Sequence, residues 1–268
     1  MIESSTGPVR AWATAAGHTG NAAFATAAPE AVVCGTLMAP PEVGAMFDPG
    51  RRMGHTMPNA WSVTISEDLN GSVTGFGERF WQSLVRQQGI AAALHKALPA
   101  QRIEYDDRYL VSPVGVRLLQ AVVGALQKRM TLPQGAILPV SVNTMAVPSE
   151  AHLRSPTGLR DNWPDSATRN TVICGLLREL SVLPEVVVLP RSDLPHARTL
   201  KIIGQRHSLL VTLDQGFGFW QPSRRVAFDF GDPAERQVDK LARTAFEVRN
   251  APGQATVCFV RSVETGRE

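Results

Sequence analysis

Lysine is scarce in this sequence: Lys96, Lys128, Lys201 and Lys240 are the only four among 27 lysines and arginines. Arginine therefore carries nearly all the positive charge and offers a planar fork suited to phosphate or carboxylate. The net charge of +3 is small, and apart from pairs such as Arg51-Arg52 and Arg224-Arg225 the basic residues are scattered. Charge by itself therefore does not point to nucleic acid. Cysteine is also sparse. Cys34, Cys174 and Cys258 lie far apart and form no C-x-x-C pair, which excludes a zinc knuckle and a disulfide framework and makes a reducing cytoplasm the expected compartment. No run of eighteen apolar residues is present, so no transmembrane helix is expected. The N-terminus lacks a basic stretch leading into an apolar one, so no secretory signal is expected. No internal repeat is visible. No histidine has metal-ligand spacing to a carboxylate or cysteine, so neither a metal nor a cofactor is expected.

What is present is an ordinary core-forming composition over 268 residues, 44% hydrophobic and 19% charged. Residues 1–30 are rich in Ala, Thr, Gly and Ser and read as a flexible arm. Ala31 to Met38 looks like a short strand, and the Pro- and Gly-punctuated stretch from 40 to 58 reads as loop. Trp61 to Ile65 alternates apolar and polar, the mark of a half-buried strand. From Phe76 to Ala97 the apolar spacing turns helical. The Gly75-Phe76-Gly77 turn before that helix lacks the third glycine of a dinucleotide fingerprint and reads as a packing turn. Leu98-Pro99 is the expected domain boundary, giving an α+β region over 31–98, an α/β domain over 99–250 and a C-terminal tail over 251–268.

Past that boundary, strands and helices alternate. A strand over 102–105 is followed by a helix from Ser112-Pro113 to Met130, where serine caps and proline fits the first turn. A strand at 135–142, a helix from Ser166 to Leu180 and a strand at 185–189 come next. A hairpin over 199–203 and 208–213, a strand at 225–230 and a helix from Pro233 to Val248 complete the order. The pattern β-α-β-α-β-β-β-β-α predicts an α/β fold with a mixed sheet flanked by helices.

Two segments carry chemistry. The first is Tyr105-Asp106-Asp107-Arg108-Tyr109-Leu110-Val111-Ser112-Pro113, at a strand-to-helix junction of the kind where α/β sheets collect ligands. Asp106 or Asp107 can orient a histidine or arginine, or can pair locally with Arg102 or Arg108. The second runs from His196-Ala197-Arg198-Thr199-Leu200-Lys201 to Leu213-Asp214-Gln215-Gly216-Phe217-Gly218-Phe219-Trp220. Two residues apart on a strand, His196 and Arg198 would face one side. Arginine can hold two phosphate oxygens, and imidazole can attack phosphorus or donate a proton. Trp163 and Trp220 could stack bases but more often such residues pack under loops. His55, His152 and His207 carry no motif.

Taken in order, these segments resemble the phospholipase-D-like domain at the C-terminus of MIT-domain-containing proteins. Similar domains end bacterial defence-associated helicases, where a D-R-Y-L-x-S-P entry recurs; here it reads Asp107 to Pro113. The resemblance covers about residues 102 to 250 and implies a phospholipase-D-like single lobe. Catalytic members of that family use two copies of H-x-K-x-x-x-x-D. This chain has one copy, with Arg198 at the lysine position and Ile203 at the aspartate position. The resemblance therefore implies binding rather than turnover. The expected function is a non-enzymatic accessory subunit of a bacterial nucleic-acid-handling or anti-phage complex. Arg198, Lys201 and Arg108 would hold phosphate, with Asp106, Asp107, Tyr109 and Gln215 in support. Its partners would be other subunits, a helicase among them, or DNA or RNA. The alternatives are a metal-independent phosphodiesterase or nuclease acting as a homodimer through a catalytic His196, and a module binding acidic phospholipid. Membrane attachment is the least expected, because no polybasic run or basic amphipathic helix is present.

Overall fold

The computed structural model describes residues 59–265, apart from 111, 133–134, 148–162, 164 and 225–233. The expected arm over 1–30, the strand at 31–38 and the loop at 40–58 lie outside the described residues, as do the strand expected at 225–230, His55 and His152. Everything described belongs to one unit, Pro58–Glu268.

Seven strands form one mixed sheet. In chain order they are β1 (Ala60–Ile65), β3 (Ala100–Asp106), β4 (Pro139–Thr144), β5 (Leu183–Val188), β6 (Arg198–Gly204), β7 (His207–Leu213) and β10 (Thr256–Glu264). Across the sheet the order is β1-β10-β7-β6-β3-β4-β5. The β3–β4 and β4–β5 pairs are parallel and every other pair is antiparallel. Three short strands, β2 (Gly71–Ser72), β8 (Gln221–Pro222) and β9 (Glu247–Arg249), make a second small sheet. The helices are α1 (Phe76–Val85), α2 (Gln88–Ala97), α3 (Pro113–Gln127), α4 (Ser166–Arg178) and α5 (Ala234–Arg243). Among the described residues no helix is long and apolar enough to cross a membrane.

Strand periodicity sorts the sheet into two faces. Ile103, Tyr105, Val140, Val142, Leu200, Ile202, Leu209, Val211, Cys258 and Val260 are buried and join the apolar faces of the helices in one core. Their neighbours in sequence, among them Arg102, Glu104, Ser141, Lys201 and Arg261, form the opposite and more polar face. Burial pushes the Cys258 thiol up to about 12, so it serves only as core. An aromatic cluster holds α1 over the ends of β3 and β7. Phe76 meets Phe217 and Trp220 edge-on at ring separations of 6.1 and 5.2 Å, and Tyr105 lies 5.3 Å from Phe217. Trp220 and Trp163 are about 1% exposed, so both pack rather than present a face to a base.

Several boundaries differ from the sequence reading. The helix expected over 76–97 is two, because Gln87 adopts an extended conformation between them. Its side-chain amide donates to the Ser62 carbonyl at 3.0 Å, and Gly89 lets α2 approach the Trp61 indole. Leu98-Pro99 does not separate two domains. β1 belongs to the seven-stranded sheet, pairing along its whole length with β10, and α1 packs into the same core as the elements beyond Leu98-Pro99. For the same reason the expected tail holds a central strand: β10 (Thr256–Glu264) lies inside the sheet between β1 and β7, where its alternating Cys258 and Val260 are buried. β4 starts at Pro139 rather than 135, proline being tolerated at the first residue of a strand. The last helix ends at Arg243, and Glu247–Arg249 turns into β9.

The caps explain two of the helices. Ser112 accepts from the Gly115 N–H at 3.2 Å with Pro113 at the first position of α3. The cap of α4 is Asp165, not Ser166; its carboxylate accepts from the Thr168 N–H at 2.7 Å and the Thr168 hydroxyl at 2.8 Å, while Ser166 accepts from the Val147 N–H. These bonds hold the Asp165 carboxyl below its ordinary value. Stability from a depressed carboxyl is present above its unfolded value and is lost as pH falls through the folded one. Replacing Asp165 with alanine is therefore expected to cost about 1 kcal/mol at neutral pH. In urea titrations that difference should shrink as the pH is brought down into the acid range.

Candidate phosphate-binding site at the sheet rim

The parallel strands β3 and β4 end at the same rim where the antiparallel β6 begins and β7 ends, as the ladders Asp106↔Asn143, Asp106↔Thr199 and Arg198↔Leu213 require. The carboxyl ends of parallel strands are where open α/β sheets receive ligands. Both tyrosines of the chain, Tyr105 and Tyr109, are found here.

Asp107 is at the centre and only 3% exposed. Its carboxylate accepts from the Tyr105 hydroxyl and from the Tyr109 N–H, each at 2.8 Å. The Asp107 N–H continues the β3–β4 ladder by donating to the Asn143 carbonyl at 2.9 Å. Arg198 approaches the same carboxylate with its Nε 3.8 Å away. Burial pushes the Asp107 carboxyl above its ordinary value, against the opposing pull of those two hydrogen bonds and Arg198. Burial together with the Asp107 carboxylate pushes the Tyr105 phenol well up.

Arg198 is held on further sides. One of its terminal nitrogens donates to the Asp214 carbonyl at 2.7 Å, and its guanidinium carbon is 5.1 Å from the centre of the Tyr109 ring. His196, exposed just before β6, sets its ring 5.9 Å from that same tyrosine at 61°. Tyr109 thus brings His196 and Arg198 together. Gly216 closes the far wall with a positive φ of 66°. A Cβ there would stand 2.9 Å from the Arg198 Cγ and 3.2 Å from an Asp107 carboxylate oxygen. Only glycine meets both the backbone conformation and the space.

Lys201 does not join this group. It stands opposite Glu104 across the β3–β6 ladder, three residues after Arg198 and hence on the other face of the sheet. There its ammonium lies 2.8 Å from Asp106 and 3.4 Å from Glu104. Burial alone would lower the ammonium, but the hydrogen bond and charge of Asp106, with Glu104 behind it, hold it above its ordinary value. Asn143 donates to Asp106 at 2.6 Å, and Arg102 pairs with Glu104 at 3.0 Å. Two cations and two carboxylates cancel, so this second cluster holds strands together and has little charge to offer a ligand. The single phosphate grip expected of Arg198 and Lys201 is therefore divided between two faces, and Asp106 and Asp107 are divided with it. Arg108 turns away to donate to the Leu194 carbonyl, and its buried Nε has no hydrogen-bond partner among the described residues. Gln215 is exposed on the turn after β7, its amide 3.4 Å from the Asp214 carboxylate.

Sequence reasoning missed Tyr105 as the partner of Asp107, Asn143 as the partner of Asp106, and Gly216 as the wall. Tyr105 and Asp107 are two apart at a strand end, which alternation alone puts on one side; the other two depend on strand order. Among the described residues no group of three metal-ligating side chains comes together. The glycine turn before α1 is a packing feature: a Cβ at Gly77 would overlap the Ala121 carbonyl of α3.

No curated protein matches the chain. A family model described as the C-terminal domain of the DEAD/DEAH box helicase YjiV matches residues 59–262. That match begins at β1 and ends within β10, so it spans the whole seven-stranded sheet across Leu98-Pro99. Covering roughly three quarters of the 268 residues, it establishes that the chain belongs to the family of DEAD/DEAH box helicase YjiV C-terminal domains.

Proposed function

We propose that this chain is a binding module of a helicase-associated, nucleic-acid-handling system, in which Arg198 grips the phosphate backbone at the sheet rim without cutting it. The observation that carries the reading is the state of Arg198. It is fixed by Tyr109 and the Asp214 carbonyl, beside an exposed His196, and among the described residues its nearest paired carboxylate, Asp107, stands 3.8 Å away. A guanidinium held in one orientation, with its charge only loosely matched, is prepared for a bidentate oxyanion. The helicase named in the family description supports nucleic acid as the source of that oxyanion. A single phospholipase-D-like lobe remains the fold reading that the order of the His-x-Arg and Asp-Arg-Tyr-Leu segments favours. An accessory role in bacterial anti-phage defence, in the cytoplasm, is the finest form of the proposal.

Binding of a fluorescent single-stranded oligonucleotide, followed by anisotropy over a salt series, tests it. The expected result is an affinity that falls linearly on logarithmic axes as salt rises, unchanged by EDTA and accompanied by no cleavage. Anisotropy that stays flat at low salt overturns the reading. One feature favours the phosphodiesterase alternative: His196 is exposed beside Arg198, as a nucleophile must be. EDTA-resistant cleavage that His196→Ala abolishes would establish that alternative in place of the binding role.

A further inference from the structure

In its ionised form Asp107 presents a second anion to the guanidinium assigned to the ligand. Its carboxylate is fixed by the Tyr105 hydroxyl and the Tyr109 N–H, so it cannot swing aside when a phosphate arrives. Neither hydrogen bond needs a negative charge on Asp107; both need only an acceptor or a polar partner of the same shape. The 3.8 Å approach of Arg198 is too long for a close ion pair yet near enough for each charge to feel the other.

We propose that Asp107 is an internal competitor for the ligand's phosphate at Arg198, setting how tightly the rim holds nucleic acid and loosening it while the carboxylate is charged. The proposal rests on the phosphate-binding reading of Arg198. It reverses the usual expectation for a site carboxylate, whose removal ordinarily weakens a site. The groups around Asp107 are few. β3 gives Tyr105, and Asp106 points to the other face with Lys201; β4 gives the Asn143 carbonyl. The β3–α3 turn gives Tyr109 and Arg108, the latter directed to Leu194. β6 gives Arg198 with His196 before it, and the turn after β7 gives Asp214, whose carboxylate is exposed. Arg198 is thus the only cation paired with Asp107 among the described residues.

Asp107→Asn keeps the shape: its oxygen can accept from the Tyr109 N–H, and its amide can donate to the Tyr105 oxygen. With the same oligonucleotide at neutral pH, this variant is expected to bind about fivefold tighter, the scale of one partly solvated charge contact. Acid should reproduce the effect in the unmutated site, because protonating Asp107 frees Arg198. The pH series is run in His196→Gln, so that no imidazole stands beside Arg198 on the Tyr109 ring. That protein should bind more tightly as pH falls, and His196→Gln with Asp107→Asn should show a flat profile. Affinity equal to or weaker than the parent in Asp107→Asn, with its melting temperature retained, overturns the proposal. If Arg198→Ala weakens binding while Asp107→Asn does not tighten it, only the competitor role fails. If Arg198→Ala changes nothing, or no oligonucleotide binds at any pH, the phosphate-binding reading fails and takes this one with it.

Discussion

Alanine at position 77 is expected to cost about 3 kcal/mol or more, among the largest effects a single methyl group can have in this chain. Gly77 sits in the first turn of α1 directly against the backbone of α3. An added Cβ would overlap the Ala121 carbonyl and crowd the Ala125 methyl. Backbone cannot rotate away as a side chain can, so α1 as a whole would have to shift. That shift would pull Phe76, Phe80 and Trp81 out of register, and the Trp81 indole would lose its hydrogen bond to the Val122 carbonyl at 2.9 Å. Against a total stability of about 5–15 kcal/mol for an ordinary domain, such a loss should lower the urea midpoint sharply or prevent folding. Gly218→Ala is the control. Among the described residues nothing lies within 4 Å of a Cβ there, so its midpoint should stay within about 0.5 kcal/mol of the parent. A Gly77→Ala protein as stable as that control would mean that α1 and α3 do not pack as described.

The second large effect concerns binding. Truncating Arg198 removes a charge-assisted contact to phosphate, and the expected loss of oligonucleotide affinity is at least about tenfold. Lys201→Met and Arg102→Ala should leave affinity within about twofold, although both also remove a positive charge. The distinction is geometric: Lys201 and Arg102 lie on the opposite face, each already paired with a carboxylate at 2.8 to 3.0 Å. Equal losses in all three variants would point to diffuse attraction by positive charge. Melting temperatures must accompany the comparison, because Lys201→Met leaves the buried Asp106 with Asn143 alone.

Most of the single elements are legible in the sequence, because their signals are local. Ser112-Pro113 announces the start of α3, and apolar alternation marks β1, β6 and β7 to within two residues. What could not be read was the company each strand keeps. β10 enters the sheet between β1 and β7, and its pairing with β1 joins positions about 200 residues apart, and nothing in Thr256 to Glu264 names those partners in advance. Leu98-Pro99 misled for the same reason, since a break in local pattern need not be a break in the core. At the candidate site, the acidic and His-x-Arg segments come together at one rim, but their residues divide between two faces of the sheet. Alternation along β6 already separates Arg198 from Lys201, and along β3 it separates Asp106 from Asp107. Gly216 could not be found by pattern, because its role depends on Arg198 and Asp107 arriving from two other strands.

The central claim is that the ligand's phosphate meets the rim around Arg198 rather than the face around Lys201. Backbone amide shifts of the isotopically labelled protein, followed while an oligonucleotide is added, test that most directly. The account predicts shifts concentrated at Tyr109, His196, Arg198 and Gly216, with Glu104, Asp106 and Lys201 little changed. Shifts centred on Glu104, Asp106 and Lys201, or none at the rim while the oligonucleotide binds, would contradict it.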